Sequence, residues 1–383
     1  STYNITAINN GGLTPVGGNT AVGNGYINSK IVNDKWINTT GVVANVVFTV
    51  VPVSASGCQG SPFTVTIPVN PEPVGSNASV TTCSDVALNI NVLGQITSLQ
   101  SGATFTYTVS SSNQTQVPAA TARTVANALN ITDSYTNTTN AAVTITYTVT
   151  PIATNGCSGQ TFTVTATINP KPNITNQTTI TCSKSALNYS LTNLLPAGVM
   201  RTGSAFTYTV SSADQANVPA GSNRTSASGT NITDLYTNTT NAPVVVTYTI
   251  TPTSGQGCTG SPFNLAVTVN PTPIAIATPA SQTICNGGTT NIELSSLTVG
   301  PVVNYTWTAV LLSGTATGFS ASSGNSIAQT LTNSTNAPAV VRYTITPAIG
   351  TCTGSAITVD ITVNPTPDAI ATPAAQTICN GTA

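Results

Sequence analysis

The sequence is short of charge. Its 383 residues include eight Lys or Arg and nine Asp or Glu, so charged side chains make up 4% of the chain and the formal net charge is −1. An average soluble domain carries about 25% charged residues. Nucleic acids and anionic membranes are bound through clustered basic side chains, so we expect neither as a partner. Disorder driven by charge is not expected either, because 39% of the residues are hydrophobic.

Histidine and long apolar runs are also missing. A chain with no His cannot build the Ser–His or Cys–His nucleophile systems. Its nine carboxylates are scattered and form no matched pair of the kind that glycosidases use. No apolar run reaches the ~18 residues of a membrane-spanning helix, so no membrane insertion is expected. We therefore predict no enzyme activity, no catalytic residue and no cofactor.

Metal ligands are equally sparse. Zinc sites need clustered Cys or His, whereas the two closest cysteines here are Cys58 and Cys83. Calcium sites need several acidic oxygens close together, and no such acidic cluster occurs. Residues 271–364 contain no Lys, which excludes a Lys–Asn isopeptide crosslink there. We predict no metal site and no calcium dependence.

Four segments repeat along the chain. Asn-Pro-x-Pro occurs four times, and it joins units that also share a strand ending in Thr-Pro. We predict a partial repeat 1 (residues 1–70), complete repeats 2 (71–169), 3 (170–270) and 4 (271–364), and a tail (365–383) that starts a further repeat. The chain begins with Ser and no signal peptide opens it, so we expect a window cut from a longer protein.

Each repeat has the pattern of β-strands. Apolar residues alternate with Thr over stretches such as 143–150, which is typical of half-buried strands, and no helical period occurs. Short strands, Gly, Asn and Pro turns and about 100 residues per repeat predict tandem immunoglobulin-like or PKD-like β-sandwiches that form an extended rod. Tyr107, Tyr208 and Trp307 occupy the position of a buried aromatic residue on strand C. The last two strands should pair as 143–150 with 162–169, 244–251 with 263–270, and 340–346 with 357–364.

A charged pair tests this register in repeat 4. Arg342 and Asp360 both interrupt the Thr face of the last two strands. They lie equally far from the turn between those strands, so we predict that they face each other across the hairpin. An exposed pair contributes about 0–1 kcal/mol, so it reports register more than stability.

The linkers between repeats are short and rich in proline. Proline fixes φ and favours an extended chain, so one repeat should pass almost directly into the next and the product should be semi-rigid. The linker prolines are Pro71, Pro73, Pro170, Pro172, Pro271, Pro273, Pro365 and Pro367.

The eight cysteines fall into two classes. One class lies between the last two strands of a repeat, and the other follows its first strand; regular placement in a β-rich chain predicts disulfides and an oxidising, extracellular setting. The turn class is Cys58, Cys157, Cys258 and Cys352, and the first-strand class is Cys83, Cys182, Cys285 and Cys379.

Two pairings stay open on the sequence. Bridges within repeats would join Cys83–Cys157, Cys182–Cys258 and Cys285–Cys352. If the first strand instead runs the full length of the sandwich, bridges between successive repeats would join Cys83–Cys258 and Cys182–Cys352. We prefer the second scheme, in which the other cysteines pair beyond this window; free thiols are a third alternative.

Two polar motifs recur without an evident chemical role. Asp133 and Asp234 lie in Asn-Ile-Thr-Asp-x-Tyr, where a turn or cap role for Asp is predicted. Asn-x-Thr triplets are frequent and are candidate glycan sites in a secreted protein, although a chain rich in Asn and Thr contains many by composition. Examples begin at Asn38, Asn130, Asn231 and Asn333.

The repeat motif resembles a known family. The run from Tyr248-Thr-Ile-Thr-Pro through Gly257-Cys258-Thr-Gly-Ser-Pro-Phe263 and the Asn-Pro-Thr-Pro linker to Gln282-Thr-Ile-Cys285 is similar to PKD-like and immunoglobulin-like repeats of giant Bacteroidota cell-surface adhesins, the SprB-like gliding-motility adhesins. The resemblance covers nearly the whole chain. It implies type IX secretion, an extended surface filament and adhesion to a substratum. Its expected partners are further copies of the repeat in cis, with a polysaccharide or protein ligand at a distant tip.

Two other functions are weighed against this one. A spacer or carbohydrate-binding module of a secreted polysaccharide-degrading enzyme would need exposed aromatic platforms, whereas most aromatic residues here alternate inward. A eukaryotic adhesion receptor of immunoglobulin type would place its cysteines on strands B and F, whereas these lie in turns. We therefore expect a non-catalytic stalk on the cell surface.

Overall fold

The computed structural model describes residues 1–96, 102–198, 200–372, 375–377 and 380–381, with the backbone alone for Ser228. The chain divides into two compact units. One comprises residues 1–172, 196–204 and 253–260, and the other comprises residues 173–195, 205–252 and 261–383. Cys379 lies outside the described residues.

Repeat 1 forms one four-stranded sheet and a two-stranded ribbon. The strand order of the sheet is β3-β1-β5-β6, and β2 pairs with β4. Its small core contains Ile5, Leu13, Val46, Phe48 and Val50. The elements are β1 (Thr2–Asn9), β2 (Thr14–Pro15), β3 (Gly23–Tyr26), a 3-10 turn (Lys30–Asn33), β4 (Trp36–Ile37), β5 (Ala44–Val53) and β6 (Phe63–Val69).

Repeat 2 forms a five-stranded sheet in the order β7-β11-β10-β8-β9. Its two long central strands consist of β-branched residues and Thr, which suit a pleated, half-buried surface. Buried side chains of β8, β10 and β11 form one core, with Tyr107 6% exposed as expected for the aromatic residue of strand C. The elements are β7 (Ala78–Cys83), a 3-10 turn (Leu93–Gln95), β8 (Thr104–Ser111), β9 (Arg123–Asn127), β10 (Val143–Ile152) and β11 (Phe162–Asn169).

Repeat 3 has the same sheet, in the order β12-β18-β17-β14-β15, and a short β13-β16 pair. Tyr208, the aromatic residue of strand C, is 7% exposed. The elements are β12 (Gln177–Cys182), β13 (Tyr189–Ser190), a 3-10 turn (Thr192–Leu194), β14 (Ala205–Ser212), β15 (Arg224–Ser228), β16 (Asn231–Ile232), β17 (Val244–Thr253) and β18 (Phe263–Asn270).

Repeat 4 shows both layers of a sandwich. One sheet has the order β20-β29-β27-β23-β24, with β28 beside β27, and the other has the order β19-β22-β25; β21 pairs with β26. Trp307 is 6% exposed. The strands are β19 (Ala275–Thr278), β20 (Ser281–Cys285), β21 (Gly288–Thr289), β22 (Ile292–Ser296), β23 (Asn304–Ser313), β24 (Ser322–Ser323), β25 (Ser326–Ile327), β26 (Thr330–Leu331), β27 (Ala339–Ile349), β28 (Cys352–Thr353) and β29 (Ile357–Asn364).

The predicted pairing of the last two strands is confirmed in each complete repeat. β10 pairs antiparallel with β11, β17 with β18, and β27 with β29. The first strand of each complete repeat then lies parallel to the last one: β7 beside β11, β12 beside β18, and β20 beside β29. All-β tandem repeats, as expected from the sequence, are therefore the fold of the chain.

Candidate functional site at the repeat junctions

The parallel pairing carries the first-strand cysteine to the far end of its repeat. Cys83 is the last residue of β7 and lies opposite Asn169, the last residue of β11. The turn that holds Cys157 precedes β11, at the opposite end of the same strand. The eight residues of β11 span about 25 Å, whereas a disulfide joins Cα atoms about 4.4–6.8 Å apart.

The disulfides therefore link different repeats. Cys83 is bonded to Cys258 with a Cα–Cα distance of 5.5 Å, and Cys182 is bonded to Cys352 with a Cα–Cα distance of 5.4 Å. The within-repeat alternative Cys83–Cys157, Cys182–Cys258 and Cys285–Cys352 is wrong for this structure, because the parallel first strand separates the members of each such pair. Cys58, Cys157 and Cys285 are free thiols.

The two disulfide loops overlap. The bridged cysteines are 175 and 170 residues apart in sequence. Cys182 lies inside the loop closed by Cys83 and Cys258, and Cys258 lies inside the loop closed by Cys182 and Cys352. A pulling force applied to both ends of the chain thus meets a covalent shortcut at each bridge.

The turn before the last strand, which we call the hairpin turn, presents the second cysteine. In repeat 3 the Ser254 N–H donates to the Cys258 carbonyl at 2.9 Å, and the Gly257 N–H donates back to Ser254 at 2.9 Å. Gly257 has φ +79°, a conformation that glycine adopts without steric cost. The turn of repeat 4 lacks this glycine and is tighter, with Ile349 paired directly to Cys352.

The proline linker packs on a glycine of the same hairpin turn. A Cβ added to Gly159 would lie 1.8 Å from the carbonyl oxygen of Pro73. At Gly260 the corresponding distance to the Pro172 oxygen is 2.1 Å, and at Gly354 the distance to the Pro273 oxygen is 1.9 Å. Only glycine admits this approach, so the sequence pattern of a Cys followed two residues later by Gly marks the linker contact. The sequence analysis missed this role.

A buried asparagine pins the end of each repeat beside the first-strand cysteine. Asn137 Nδ2 donates to the carbonyl oxygens of Ala141 at 2.9 Å and Ile168 at 2.7 Å, and its Oδ1 accepts from the N–H and hydroxyl of Thr139. The same network recurs around Asn38, Asn238 and Asn333.

These asparagines belong to the Asn-x-Thr triplets noted as candidate glycan sites. Asn38 and Asn333 are each 2% exposed and commit both amide hydrogens to backbone carbonyls, so a glycan on either would break the fold. Asn130 and Asn231 are exposed. The Thr of the buried triplets therefore serves the backbone network.

The turn or cap role expected for Asp133 and Asp234 is wrong. Asp133 Oδ2 accepts a hydrogen bond of 2.7 Å from the hydroxyl of Tyr147, which also bonds the hydroxyl of Tyr135 at 2.7 Å. Asp234 accepts from Tyr248 at 2.5 Å in the same way. In repeat 4 Gln329 takes this place and accepts from Tyr343 at 2.8 Å. The carboxylates satisfy tyrosines whose hydroxyls the sandwich buries.

Burial dominates the electrostatics of these tyrosines. It raises the pKa of Tyr147 and Tyr248, and their hydroxyl bonds to Asp133 and Asp234 raise it further. Burial also raises the pKa of Tyr343 to about 12. A tyrosine held neutral beside a carboxylate that accepts its proton bond has a structural role, because nothing around it activates it as an acid or a base.

One ion pair lies at a junction and another tests register. Lys171 Nζ of the linker lies 3.4 Å from Asp85 Oδ2, and the Thr136 hydroxyl bond, more than Lys171, holds the pKa of that carboxyl below its ordinary value. The structure places Arg342 opposite Asp360, with Nε–Oδ1 and Nη2–Oδ2 distances of 2.8 Å each.

A cleft of about 720 Å³ lies beside the Cys182–Cys352 bridge. Its walls include Ile180, Pro243, Pro301 and Ile349, and no charged side chain lines it. Over the described part of the chain, no group of three His, Cys, Asp or Glu could hold a metal ion, and no helix is long and apolar enough to cross a membrane. The junction offers covalent and packing contacts, without a group for chemistry.

The linker prolines and cysteines thus meet at the ends of the repeats. Pro73, Pro172 and Pro273 contact their hairpin-turn glycines, and Pro71, Pro170 and Pro271 precede them in the extended linkers. Pro365 and Pro367 lead into the tail, where residues 365–371 form no strand. The sequence analysis found the cysteines and prolines; it missed the glycines and the buried asparagines.

Comparison with known proteins gives the following similarities. A family model described as PKD-like domain matches residues 2–73, 80–172, 179–273 and 282–367. No curated protein matches the chain. Among solved structures, Drosophila N-cadherin EC1-4 is 10% identical with a TM-score of 0.27 and covers 96% of this chain and 92% of its own.

Two further solved structures are similar at the same level. Human CDH23 EC21-23 is 12% identical with a TM-score of 0.29, covering 76% of this chain and 99% of its own. Protocadherin gammaB7 EC3-6 is 9% identical with a TM-score of 0.30, covering 95% of this chain and 90% of its own. TM-scores this low support no argument about arrangement or function.

Proposed function

Because the chain belongs to the PKD-like domain family, its four matched regions being repeats of that domain, we propose that it is a non-catalytic structural segment of a large, secreted cell-surface adhesin or filament. In this role the repeats act as a semi-rigid stalk that holds a distant binding tip away from the cell. The stalk would comprise repeats at 1–70, 71–169, 170–270 and 271–364, with the tail 365–383 opening the next.

The observation that carries this proposal is the pair of overlapping disulfide loops. Each bridge joins the end of one repeat to the hairpin turn of the following repeat, so a force along the chain passes through covalent bonds before any strand is pulled out. The linker carbonyls seated on Gly159, Gly260 and Gly354 restrict the same joints. Both devices serve a mechanical connection.

The extracellular setting follows from the same bridges. Disulfides persist in oxidising compartments and are rare in the cytosol. The finer proposal is a Bacteroidota surface filament exported by type IX secretion and used in adhesion or gliding; it rests on the sequence resemblance. Further repeats are its partners in cis, and a polysaccharide or protein is its ligand at the tip.

The alternative of a carbohydrate-binding module has less support. A sugar platform needs exposed aromatic rings, whereas the aromatic residues of the strand cores are buried. Among the described residues, Phe63 is the one aromatic side chain counted with the exposed large hydrophobic residues. A spacer role in a secreted enzyme would share the stalk mechanics and differ in the attached domain.

Single-molecule stretching tests the proposal. With the chain held at its two ends, the oxidised protein should extend to about half of the length that the reduced protein reaches, since both bridges short-circuit long segments at about 3.5 Å per residue. The variant Cys83→Ser should release one loop, and Cys157→Ser, which removes a free thiol, should leave the extension unchanged.

Electron microscopy of single molecules gives an independent measurement. Extended particles of constant length support the stalk. Compact particles that fold back at variable angles, or equal extension of the oxidised and reduced chains, would overturn it.

A further inference from the structure

Repeat 1 differs from the other three at one edge of its sheet. In repeats 2, 3 and 4 a first strand lies parallel to the last strand and covers its outer edge. The last strand of repeat 1, β6, pairs with β5 alone among the described strands. Its outer edge therefore presents backbone groups without a strand partner, which makes it a template for strand addition.

The orientation of these groups is set by comparison with repeat 2. The Thr163 N–H points to the outer edge, where it accepts no strand bond but donates to Asn77 Oδ1 at 2.8 Å. The corresponding outward positions in β6 are Thr64, Thr66 and Pro68. Proline has no N–H, so an added strand forms one hydrogen bond fewer on β6 than on β11.

The face beside this edge is open and apolar. A cleft of about 350 Å³ is lined by Tyr3, Ile5, Val50, Phe63 and Val65, among other residues. Phe63 is 44% exposed, whereas its counterparts Phe162 and Phe263 are 5% and 3% exposed. In repeat 4 the equivalent face is covered by β19 and β22. The cleft thus has the place and chemistry of a missing first strand.

The hairpin turn of repeat 1 also lacks its contact. Gly60 corresponds to the glycines that receive a linker carbonyl in repeats 2, 3 and 4, but a Cβ added to it would meet only the Pro52 residue, 3.0 Å away. Cys58 in the same turn is exposed and unpaired. Repeat 1 therefore retains the glycine and the cysteine that receive a preceding linker and a preceding first-strand cysteine.

The tail carries the sequence of the part that repeat 1 lacks. Residues 366–381 repeat residues 272–287 and differ only at Asp368 and Ala375. In repeat 4 this sequence forms β19 and β20. In the tail, residues 366–371 form no strand, and Ile370 is 84% exposed. A strand donor and a strand acceptor thus lie at opposite ends of one sequence.

We propose that two copies of this chain join head to tail, with residues 366–381 of one copy added parallel to β6 of the next copy and covering its apolar cleft. The Pro367 carbonyl of the first copy then meets Gly60 of the second. The joint has the geometry of the internal junctions.

The cysteine classes match across this joint. By the pattern of Cys83–Cys258 and Cys182–Cys352, Cys285 of one copy pairs with Cys58 of the second copy, and Cys379 pairs with Cys157 of the second copy. Each bond forms when two thiols lose two protons and two electrons to a disulfide oxidant such as oxidised glutathione, which is reduced to two thiols.

Association and crosslinking test the proposal on the full chain. Under reductant, light scattering should show a mass that rises with concentration above 38.6 kDa. With oxidised glutathione, a non-reducing gel should show a ladder at multiples of that mass. Thr377→Pro in the donor should abolish both signals, and Thr382→Pro, which lies beyond the donor segment, should change neither.

Peptide mapping identifies the joint. We expect Cys285–Cys58 and Cys379–Cys157 bridges between copies, and Cys58→Ser should remove the first and keep the second. A synthetic peptide of residues 366–381 should bind repeat 1 and suppress the ladder; its scrambled form should not.

Three results would overturn the head-to-tail joint. They are a chain that stays monomeric at every concentration, bridges between like cysteines such as Cys285–Cys285, and a monomer in which the same pairs form within one chain. None of them bears on the stretching experiment, so the stalk and the joint fail separately.

Discussion

The hairpin turns of repeats 2 and 3 have nearly the same local structure, and one is bridged while the other is not. In both, the first residue of the turn donates to the cysteine carbonyl at 2.9 Å, from Ala153 to Cys157 and from Ser254 to Cys258. Cys258 is fully buried in a disulfide, whereas Cys157 is a partly exposed thiol. The turn therefore forms from local sequence and does not need the bridge.

The difference teaches that bridging depends on the preceding repeat. Cys258 meets Cys83 because β7 delivers it to that end of repeat 2, and the described chain has no first strand before repeat 1 to deliver a partner to Cys157. Each hairpin turn is a ready acceptor, and the neighbouring first strand decides whether it is used.

Removing the donor cysteine should have the largest effect on this comparison. Cys83→Ser makes the Cys258 turn resemble the Cys157 turn, and losing a 175-residue disulfide loop should lower the free energy of unfolding by about 2–5 kcal/mol. Calorimetry measures the change, and reductant should lower the melting temperature of the parent chain while a chelator leaves it unchanged.

Cys157→Ser is the matched control for that change. Since Cys157 is already unpaired, its melting curve should match that of the parent. Equal losses in the two variants would show that the bridge contributes nothing beyond the turn itself.

Alkaline pH should act on the cores of bridged and unbridged repeats alike. Burial raises the pKa of Tyr343 to about 12 from its ordinary value of 10.0. A raised pKa in the folded state means that stability is complete below pH 10 and is lost as the pH rises from there toward 12, by about 3 kcal/mol for this tyrosine.

Circular dichroism and tyrosinate absorbance together measure this loss. Tyr343→Phe should flatten the alkaline dependence of repeat 4, at some cost in stability near neutral pH because Gln329 loses its donor. Ionisation of all tyrosines near pH 10 in the folded chain would contradict the burial argument.

A methyl group in the hairpin turn should separate turns that receive a linker from the one that does not. Gly354→Ala places a Cβ 1.9 Å from the Pro273 oxygen and should cost about 2 kcal/mol. Gly60→Ala meets only the Pro52 ring at 3.0 Å and should cost less. Denaturant unfolding of both variants checks the order, and a larger loss at Gly60 would refute it.

The smallest effect is expected at the charged pair of repeat 4. Arg342 and Asp360 are 40% and 39% exposed, and repeat 2 has Thr146 opposite Thr165 at the same place. The double variant Arg342→Thr with Asp360→Thr should change the stability by less than about 1 kcal/mol.

The pH dependence of this pair has a fixed sign. The Arg342 bond lowers the pKa of Asp360, so the contribution of the pair is present above about pH 4 and is lost as the pH falls. Melting curves at low and high salt should differ slightly in the parent and coincide in the double variant; a large change would mean that the pair does more than fix register.

The sequence was a good guide wherever a pattern repeats within one strand. Alternation of apolar residues with Thr predicted the hairpins of repeats 2 to 4, and the symmetric spacing of Arg342 and Asp360 predicted a contact that the structure places there. It was a poor guide to polar side chains. Asp133 reads as a turn residue until its distance to the Tyr147 hydroxyl is known, because that contact joins segments whose packing no local pattern encodes.

By itself, the sequence determined the β class, the repeat period, the positions of the cysteines and the lack of reactive groups, because these follow from composition and from spacing along one strand. The tertiary structure alone decided which cysteines meet. A first strand lying parallel to the last strand, instead of turning back, carries Cys83 and Cys182 away from their own hairpin turns and onto those of the following repeats. That choice is made by sheet pairing between residues about ninety positions apart, which no local propensity specifies.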